Sequence, residues 1–178
     1  MQDRFSELEG GQSPETLFIT CSDSRISPNL LTQTQPGEIF VIRNAGNIVP
    51  KPGTGELAIE ATIQYAVQVL KVSHVVVCGH AKCGAVGGLL DLDSLTGFPA
   101  IHEYVSKSKS VLDAVADCDP ATKLDEAIKA NVMLQLENLK AYDYVKSACD
   151  AGNLELHGWV YHFGSGHVDY LTDQSNMV

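Results

Sequence analysis

The sequence predicts an α/β fold: a mostly parallel central sheet of about four parallel strands plus one antiparallel edge strand, flanked by helices in a Rossmann-like open arrangement. Short apolar runs alternate along the chain with longer segments whose apolar residues recur at helical spacing. The run at 75–78, Val-Val-Val-Cys, is apolar at every position. Such a run is typical of a strand buried on both faces of a parallel sheet, so we expect this strand to be central.

The amino-terminal half is predicted to supply the first two strands and two helices. The runs 17–20 and 39–42 are rich in β-favouring residues, and a short helix begins at Pro28 between them. Apolar residues at helical spacing then predict a long helix over 57–70, with Thr54 as its candidate N-cap. This helix crosses over to the central strand.

The carboxyl-terminal half is predicted to contain three helices and a closing hairpin. Small residues over 84–90 should open a helix, and two further helices are expected from 99 to about 116 and from 123 to about 148. Residues 154–161 alternate with period two, and a Gly-Ser-Gly turn leads into 167–171. This pattern predicts an antiparallel pair of strands at the end of the chain.

Length and composition restrict the class of protein. With 178 residues and 44% hydrophobic content, we expect a single domain over 1–178, with a sizeable core and a short amino-terminal arm. The formal net charge of −10 argues against a nucleic-acid partner. The chain has no apolar stretch of the roughly 20 residues that span a bilayer, and its start lacks the order of a secretory signal. We therefore expect a cytoplasmic protein without a membrane partner, with a plastid or a carboxysome as alternative locations.

A candidate metal site lies at the ends of two predicted strands. The chain has five cysteines, an odd number without compact spacing, which favours metal binding over disulfides. Cys21 follows the first strand, and His80 and Cys83 follow the central strand. Thiolate and imidazole ligands suit zinc, and three protein ligands leave the fourth position open, as in catalytic zinc sites. The sequence therefore predicts one zinc ion per chain at the carboxyl edge of the sheet.

Four motifs around these residues carry a family resemblance. They are Cys-Ser-Asp-Ser-Arg at 21–25, Arg-Asn-Ala-Gly-Asn at 43–47, Cys-Gly-His with Cys-Gly within 78–84, and Leu-His-Gly-Trp at 156–159. Together, over about residues 12–161, they resemble the β-class carbonic anhydrases. The resemblance implies a zinc lyase, a carbonate dehydratase, that converts carbon dioxide reversibly to bicarbonate and a proton by attack of zinc-bound hydroxide. It also implies a homodimer or a higher assembly of dimers.

Asp23 and Arg25 are predicted to be catalytic. Asp23 lies two residues after a ligand, where it can accept a hydrogen bond from the zinc-bound hydroxide or become a fourth metal ligand itself. The planar fork of Arg25 can bind the Asp23 carboxylate at both oxygens and hold it off the metal. In the family that the motifs resemble, the arginine-paired arrangement is the open, active one.

The substrate-binding residues are expectations from the same resemblance. Gln12, Phe40 and Tyr65 match the pocket of the plant-type subclass, in which the glutamine belongs to one subunit and the zinc to its partner. Gly84 matches the position whose backbone N–H faces a substrate oxygen, and Ala45 is expected to line an apolar wall.

Two alternative functions remain open at this point. Related proteins hydrolyse carbonyl sulfide or carbon disulfide with the same zinc ligands, and a non-catalytic zinc-binding scaffold would keep the fold alone. Intact Gln12, Asp23, Arg25 and Tyr65 argue against a scaffold, because a retired site need not keep the groups around its metal. The remaining histidines are expected to be surface or hydrogen-bonded structural groups: His74, His102, His157, His162 and His167.

Overall fold

A five-stranded sheet forms the centre of the computed structural model, which describes residues 5–6 and 8–172. The strand order is β2-β1-β3-β4-β5; β1 to β4 are parallel, and β5 is antiparallel to β4. The predicted sheet, including its antiparallel edge and its central third strand, is thus confirmed. The strands are β1 (Thr16–Cys21), β2 (Ile39–Asn44), β3 (His74–His80), β4 (Glu155–Tyr161) and β5 (Val168–Tyr170).

The carboxyl ends of the three neighbouring strands β2, β1 and β3 meet at one edge. Cys21 pairs in register with Asn44 on β2, and Thr20 pairs with Cys78 on β3. The middle of β1 and of β3 is buried on both faces: one face packs into the main apolar core, and the side chains of the other face form a smaller apolar cluster with Leu31 of the first helix. Cys78 belongs to that smaller cluster, with no exposed surface.

Seven α-helices have bounds that lie wholly within residues 8–172, and most follow the predicted order. They are α1 (Pro28–Thr32), α2 (Leu57–Gln64), α3 (Gly84–Leu90), α4 (Pro99–Val105), α5 (Ser110–Ala114), α6 (Lys123–Lys140) and α7 (Asp143–Asp150).

The predicted helix over 57–70 needs two corrections. Thr54 is not its N-cap: the Thr54 hydroxyl donates to the carbonyl of Lys51 at 2.8 Å, and the residue before the helix is Glu56. After Gln64 the chain continues in wider π-helical turns, and it ends at Lys71 in the left-handed conformation.

Both predicted long helices of the carboxyl-terminal half are interrupted. The first divides into α4, a 3-10 turn and α5, and the turn brings Ser108 into the core, where it accepts from Gln135 at 3.2 Å. The second ends at Lys140, since Tyr142 adopts an extended conformation that buries its ring and directs its hydroxyl to the carbonyl of Pro50 at 2.8 Å. At Ser108 and at Tyr142, a buried contact with a residue far along the chain interrupts the helix that the spacing of apolar residues predicted.

Helix α6 packs closely on the sheet because two strand residues lack side chains. A Cβ at Gly79 would lie 2.8 Å from Val132 Cγ2, and one at Gly158 would lie 3.0 Å from Leu136 Cδ1. Both distances are shorter than van der Waals contact. Only glycine at these two positions therefore allows α6 to lie this close to β3, which ends in His80, and to β4.

The expected amino-terminal arm lies only partly among the described residues, since 1–4 and 7 fall outside them. Within 5–6 and 8–172, no helix combines the length and the apolar character of a membrane span.

Candidate metal centre

The three predicted ligands come together at the carboxyl edge of the sheet. Cys21 is the last residue of β1, His80 is the last residue of β3, and Cys83 directly precedes α3. Lys82, in the left-handed conformation, turns the chain tightly between the last two. The ligand atoms of Cys21, His80 and Cys83 all lie within 4.8 Å of one another, and each side chain is at least nine-tenths buried.

The histidine of this group is oriented for metal binding. His80 Nδ1 lies 3.0 Å from the carbonyl of Ala81. Because a carbonyl can only accept, Nδ1 carries the proton and Nε2 keeps a lone pair. Nε2 is buried and has no hydrogen-bond partner among the residues that the structure describes. A buried, unpaired nitrogen beside two sulfurs is satisfied by a metal ion.

The two sulfurs receive backbone N–H groups. Cys21 Sγ accepts from the amide of Gly46 at 3.4 Å, and Cys83 accepts from the amides of Ala85 and Val86 at the start of α3. The pKa of Cys21 is lowered, mainly because the Cys83 thiol donates to its sulfur, and the pKa of Cys83 is raised by the same contact and by burial. Cys21 is therefore the thiolate of the pair, and a bound soft or borderline metal ion would hold Cys83 as a thiolate as well.

Asp23 and Arg25 form the predicted pair beside the metal group. Arg25 Nε and Nη2 donate to Asp23 Oδ1 and Oδ2 at 2.9 and 2.7 Å, and the Arg25 amide adds a bond of 3.0 Å to Oδ1. These bonds hold the pKa of Asp23 well below its usual range. Asp23 Oδ2 lies 3.9 Å from His80 Nε2. Its service as a fourth ligand stays a prediction, since Arg25 engages both of its oxygens here.

An aromatic ring from the other end of the chain supports this pair. The guanidinium of Arg25 lies 4.2 Å from the ring centre of Phe163, and the ring of Phe163 lies 5.1 Å from that of His80. Phe163 follows β4, far from both residues in the sequence, so no local pattern could identify it. It shields one side of the metal group with apolar surface.

A buried series of amide side chains on α6 fixes the loop that follows β2. Asn131 donates to the carbonyl of Gly46 at 3.0 Å, and Gln135 accepts from the amide of Val49 at 2.9 Å. Gln135 also donates to Asn131 at 2.8 Å, and Asn138 donates to the carbonyl of Val49 at 2.9 Å. This amide ladder positions the Gly46 N–H that serves Cys21. Asn131, Gln135 and Asn138 are spaced by four and three positions on an otherwise apolar face of α6. This pattern in the sequence could have indicated a buried polar contact.

The predicted substrate-binding residues divide into two groups within one chain. Ala45 and Gly84 lie at the metal edge, directly after β2 and at the start of α3. Gln12 precedes β1, whose residues extend about 17 Å from Thr16 to Cys21, so it lies at the opposite end of that strand from the metal ligands. Phe40 lies in the first half of β2, and its ring centre is 6.1 Å from that of Tyr65. A single chain therefore does not bring this second group to the metal ligands.

A buried group of two cysteines and one histidine, at the carboxyl edge of a mostly parallel sheet, defines a metalloprotein of the open zinc type. The donor set fits zinc because three protein ligands and one free position match catalytic zinc sites.

Comparisons with known proteins identify the family. Residues 16–168 match the family model described as carbonic anhydrase. The carbonic anhydrase of Pseudomonas aeruginosa is 44% identical over 174 residues, which cover 96% of this chain and 79% of the relative. The solved structure of the β-carbonic anhydrase CcaA has a TM-score of 0.90 at 38% identity, covering 97% of this chain and 90% of that one. A structure from a study of two tetrameric β-carbonic anhydrases of Sordaria macrospora has a TM-score of 0.85 at 33% identity, covering 95% and 86%.

The chain belongs to the β-carbonic anhydrase family. It is a zinc enzyme, a lyase that hydrates carbon dioxide reversibly, and the predicted family, fold, activity and cofactor are confirmed. Hydrolysis of carbonyl sulfide or carbon disulfide is not favoured, because the relatives named above are carbonic anhydrases.

Proposed function

We propose that this chain hydrates carbon dioxide with Cys21, His80 and Cys83 as the ligands of one zinc ion, and with Asp23 and Arg25 as the pair that orients the nucleophile. One observation supports the proposal above others. The unpaired Nε2 of His80 and the Oδ2 of Asp23 lie 3.9 Å apart. Both atoms therefore face the same small space, in which the zinc ion and the nucleophile would lie.

When bound, zinc lowers the pKa of a water molecule from about 15.7 towards neutrality and so supplies a hydroxide nucleophile. Asp23 stays ionised, so its Oδ2 can only accept a hydrogen bond, and it turns the nucleophile's lone pair towards the carbon of carbon dioxide. Arg25 holds Asp23 in this position. One C=O electron pair moves to a substrate oxygen as the new C–O bond forms, and the Gly84 N–H donates to that oxygen. Ala45 supplies apolar surface beside it.

The second part of the proposal concerns assembly. Leu57 on α2 is exposed by 73%, and Tyr65 and Val69 in the π-helical turns that follow α2 are exposed by 43% and 60%. Exposed apolar residues in one segment are typical of a subunit interface. We infer a homodimer, or a higher assembly of dimers, in which Gln12, Phe40 and Tyr65 of one chain complete the pocket of the other. The tetrameric relatives of Sordaria macrospora support assembly.

The cytoplasm is the proposed location, in line with the bacterial relative from Pseudomonas aeruginosa. A plastid is the alternative location, since a chloroplastic β-carbonic anhydrase of Arabidopsis thaliana is 31% identical to this chain.

The activity is tested by stopped-flow hydration of carbon dioxide on protein of known zinc content. Asp23→Ala should lower turnover by roughly 10²-fold or more while zinc stays bound, because the nucleophile loses its orienting acceptor. Asp117→Ala, at an exposed carboxylate, is the control and should retain full turnover. Full activity of zinc-loaded Asp23→Ala would overturn the proposed role.

The shared pocket is tested by mixing two inactive variants, Asp23→Ala and Gln12→Ala, under conditions that exchange subunits. If each site takes Asp23 from one chain and Gln12 from the other, a mixed dimer contains one intact site. Random exchange should then restore about a quarter of the wild-type activity. If both residues serve the same chain's site, mixing restores nothing, and the assembly proposal fails while the activity itself stands.

A further inference from the structure

We propose that His74, Glu155 and His157 form a second metal site, for zinc or a similar divalent ion, at the opposite end of the sheet from Cys21. The cluster lies where β3 and β4 begin. It shares no residue with the carbonic anhydrase centre, so the proposal does not rest on the catalytic mechanism.

The sheet places the three side chains on one face. His74 is the register partner of Glu155 on the neighbouring parallel strand, and His157 follows Glu155 by two residues. Side chains of register partners, and of residues two apart on a strand, point to the same face. Their ligand atoms all lie within 4.8 Å of one another. The positions are therefore set by paired strands rather than by a loop.

The distances fit a metal ion with little movement. His74 Nδ1 lies 3.1 Å from His157 Nε2, and His157 Nε2 lies 4.0 Å from Glu155 Oε2. Two ligand atoms at about 2.0–2.1 Å from a tetrahedral zinc ion lie about 3.3 Å apart. The nitrogens already have nearly this separation, in a hydrogen bond between the two rings, so one ring must move its proton to its other nitrogen before both can bind an ion. The Glu155 oxygen lies 4.0 Å from His157 Nε2 and within 4.8 Å of the His74 ligand atom, so it must approach by about 0.7 to 1.5 Å, which rotation of its partly exposed side chain allows.

The donor set is chemically suitable. Two imidazole nitrogens and one carboxylate oxygen are a known combination of zinc ligands, and they leave a fourth position for water. His157 is 2% exposed, so its ring is held in place, whereas Glu155 reaches solvent. A surface cleft of about 640 Å³, lined by Glu155 and His157 among others, gives an ion access to the cluster.

Two features make this site weaker than the one at Cys21. A metal ion on His157 Nε2 leaves the ring proton on Nδ1, which is buried and has no acceptor among the described residues. The same cleft is lined by Lys140 and Lys146, whose charges oppose a cation, although Lys146 is paired with Asp150. We therefore expect the second ion to be removed by mild chelation that leaves the first in place.

The test is metal titration of the zinc-loaded enzyme by equilibrium dialysis against Zn²⁺. The wild type should bind a second equivalent per chain. Glu155→Gln, which keeps the shape of the side chain, and His74→Gln should each lose that equivalent while carbon dioxide hydration stays unchanged. His102→Gln, a histidine on α4, is the matched control and should keep it. A wild type that binds no second equivalent, or a second equivalent that survives in His74→Gln, would overturn the proposal.

Cobalt provides an independent readout of the ligand types. Co²⁺ in the cysteine site produces strong sulfur-to-metal charge-transfer absorption, whereas a site of imidazole and carboxylate produces only weak visible bands. The second Co²⁺ equivalent should therefore add visible bands without charge-transfer absorption. A second equivalent that adds charge-transfer absorption would instead reside on a thiolate, such as that of Cys149 in the lining of the same cleft, and would refute the site.

Discussion

The guanidinium of Arg25 binds both oxygens of the Asp23 carboxylate, at 2.9 and 2.7 Å. The two residues are only two positions apart, and the Arg25 side chain is 52% exposed. An ion pair this exposed adds little to the free energy of unfolding. Its geometry matters more, because a bidentate pair fixes the direction of the carboxylate.

Arg25→Ala should release Asp23 to the metal. We expect zinc to be retained and the hydration rate to fall by at least about 10-fold, because the Asp23 carboxylate would replace solvent in the fourth position. X-ray absorption at the zinc edge should then still show four ligands, and the spectrum should not change when azide is added. Arg25→Lys should fall in between, because an ammonium cannot bind both oxygens in a plane. Lys109→Ala, at an exposed cation, is the control. Unchanged activity in Arg25→Ala would contradict the role of the pair.

The pH dependence of the pair follows from the lowered pKa of Asp23. A carboxyl whose pKa falls on folding contributes stability above its unfolded pKa, about 3.9, and loses it as pH falls through the lower folded value. Asp23 should therefore remain ionised and paired from about pH 4 to 9. Carbon-13 NMR of the Asp23 carboxyl, assigned with Asp23→Asn, should show no titration in this range. A titration step near pH 4 would show that the pair is absent in solution.

Gly79→Ala should be destabilising because its Cβ would meet Val132 at 2.8 Å. Overpacking of this kind costs about 1–3 kcal/mol in the free energy of unfolding. The strain lies next to His80, so zinc affinity should fall as well. Gly87→Ala in α3 is the matched control: its Cβ meets nothing within 4 Å, and alanine favours a helix. Urea unfolding of the zinc-loaded proteins distinguishes the two, and equal stabilities would refute the close packing of α6.

Gln135→Leu should disrupt the amide ladder. The change leaves the buried Val49 N–H without its acceptor, and an unsatisfied buried group costs about 1–3 kcal/mol in unfolding free energy. Because the ladder positions Gly46 beside Cys21, zinc should also dissociate more readily, by roughly 10-fold. Chelator competition and urea unfolding measure the two effects. Glu137→Gln, exposed on the same helix, should change neither, and a similar loss there would show that the ladder has no special role.

Much of this architecture could be predicted from the sequence because its signals are local. The apolar run before His80 indicates a central strand, and ligands that follow parallel strands must meet at one edge. The breaks at Ser108 and Tyr142 could not be predicted in this way, since each depends on a partner far along the chain. The contact of Phe163 with Arg25 is equally non-local.

The candidate site shows the same division. Its ligands and the Asp23–Arg25 pair lie within short motifs. The separation of Gln12 and Tyr65 from the metal ligands of their own chain follows from the fold as a whole, so no local pattern could show it; their place in a partner's pocket stays a proposal. The ladder on α6 was detectable, because Asn131, Gln135 and Asn138 interrupt a face that otherwise reads as core.

The ring of Phe163 under the Arg25 guanidinium has a consequence for what must move when the enzyme changes state. If Asp23 turns towards the metal, Arg25 loses one partner but keeps the aromatic one, since a cation over a ring face is attracted independently of the carboxylate. The transition then needs the rotation of a single carboxylate and the loss of its hydrogen bonds to Arg25, while the guanidinium can stay where it is. Switching between the two arrangements would therefore move one side chain and leave the backbone of the loop after Cys21 in place.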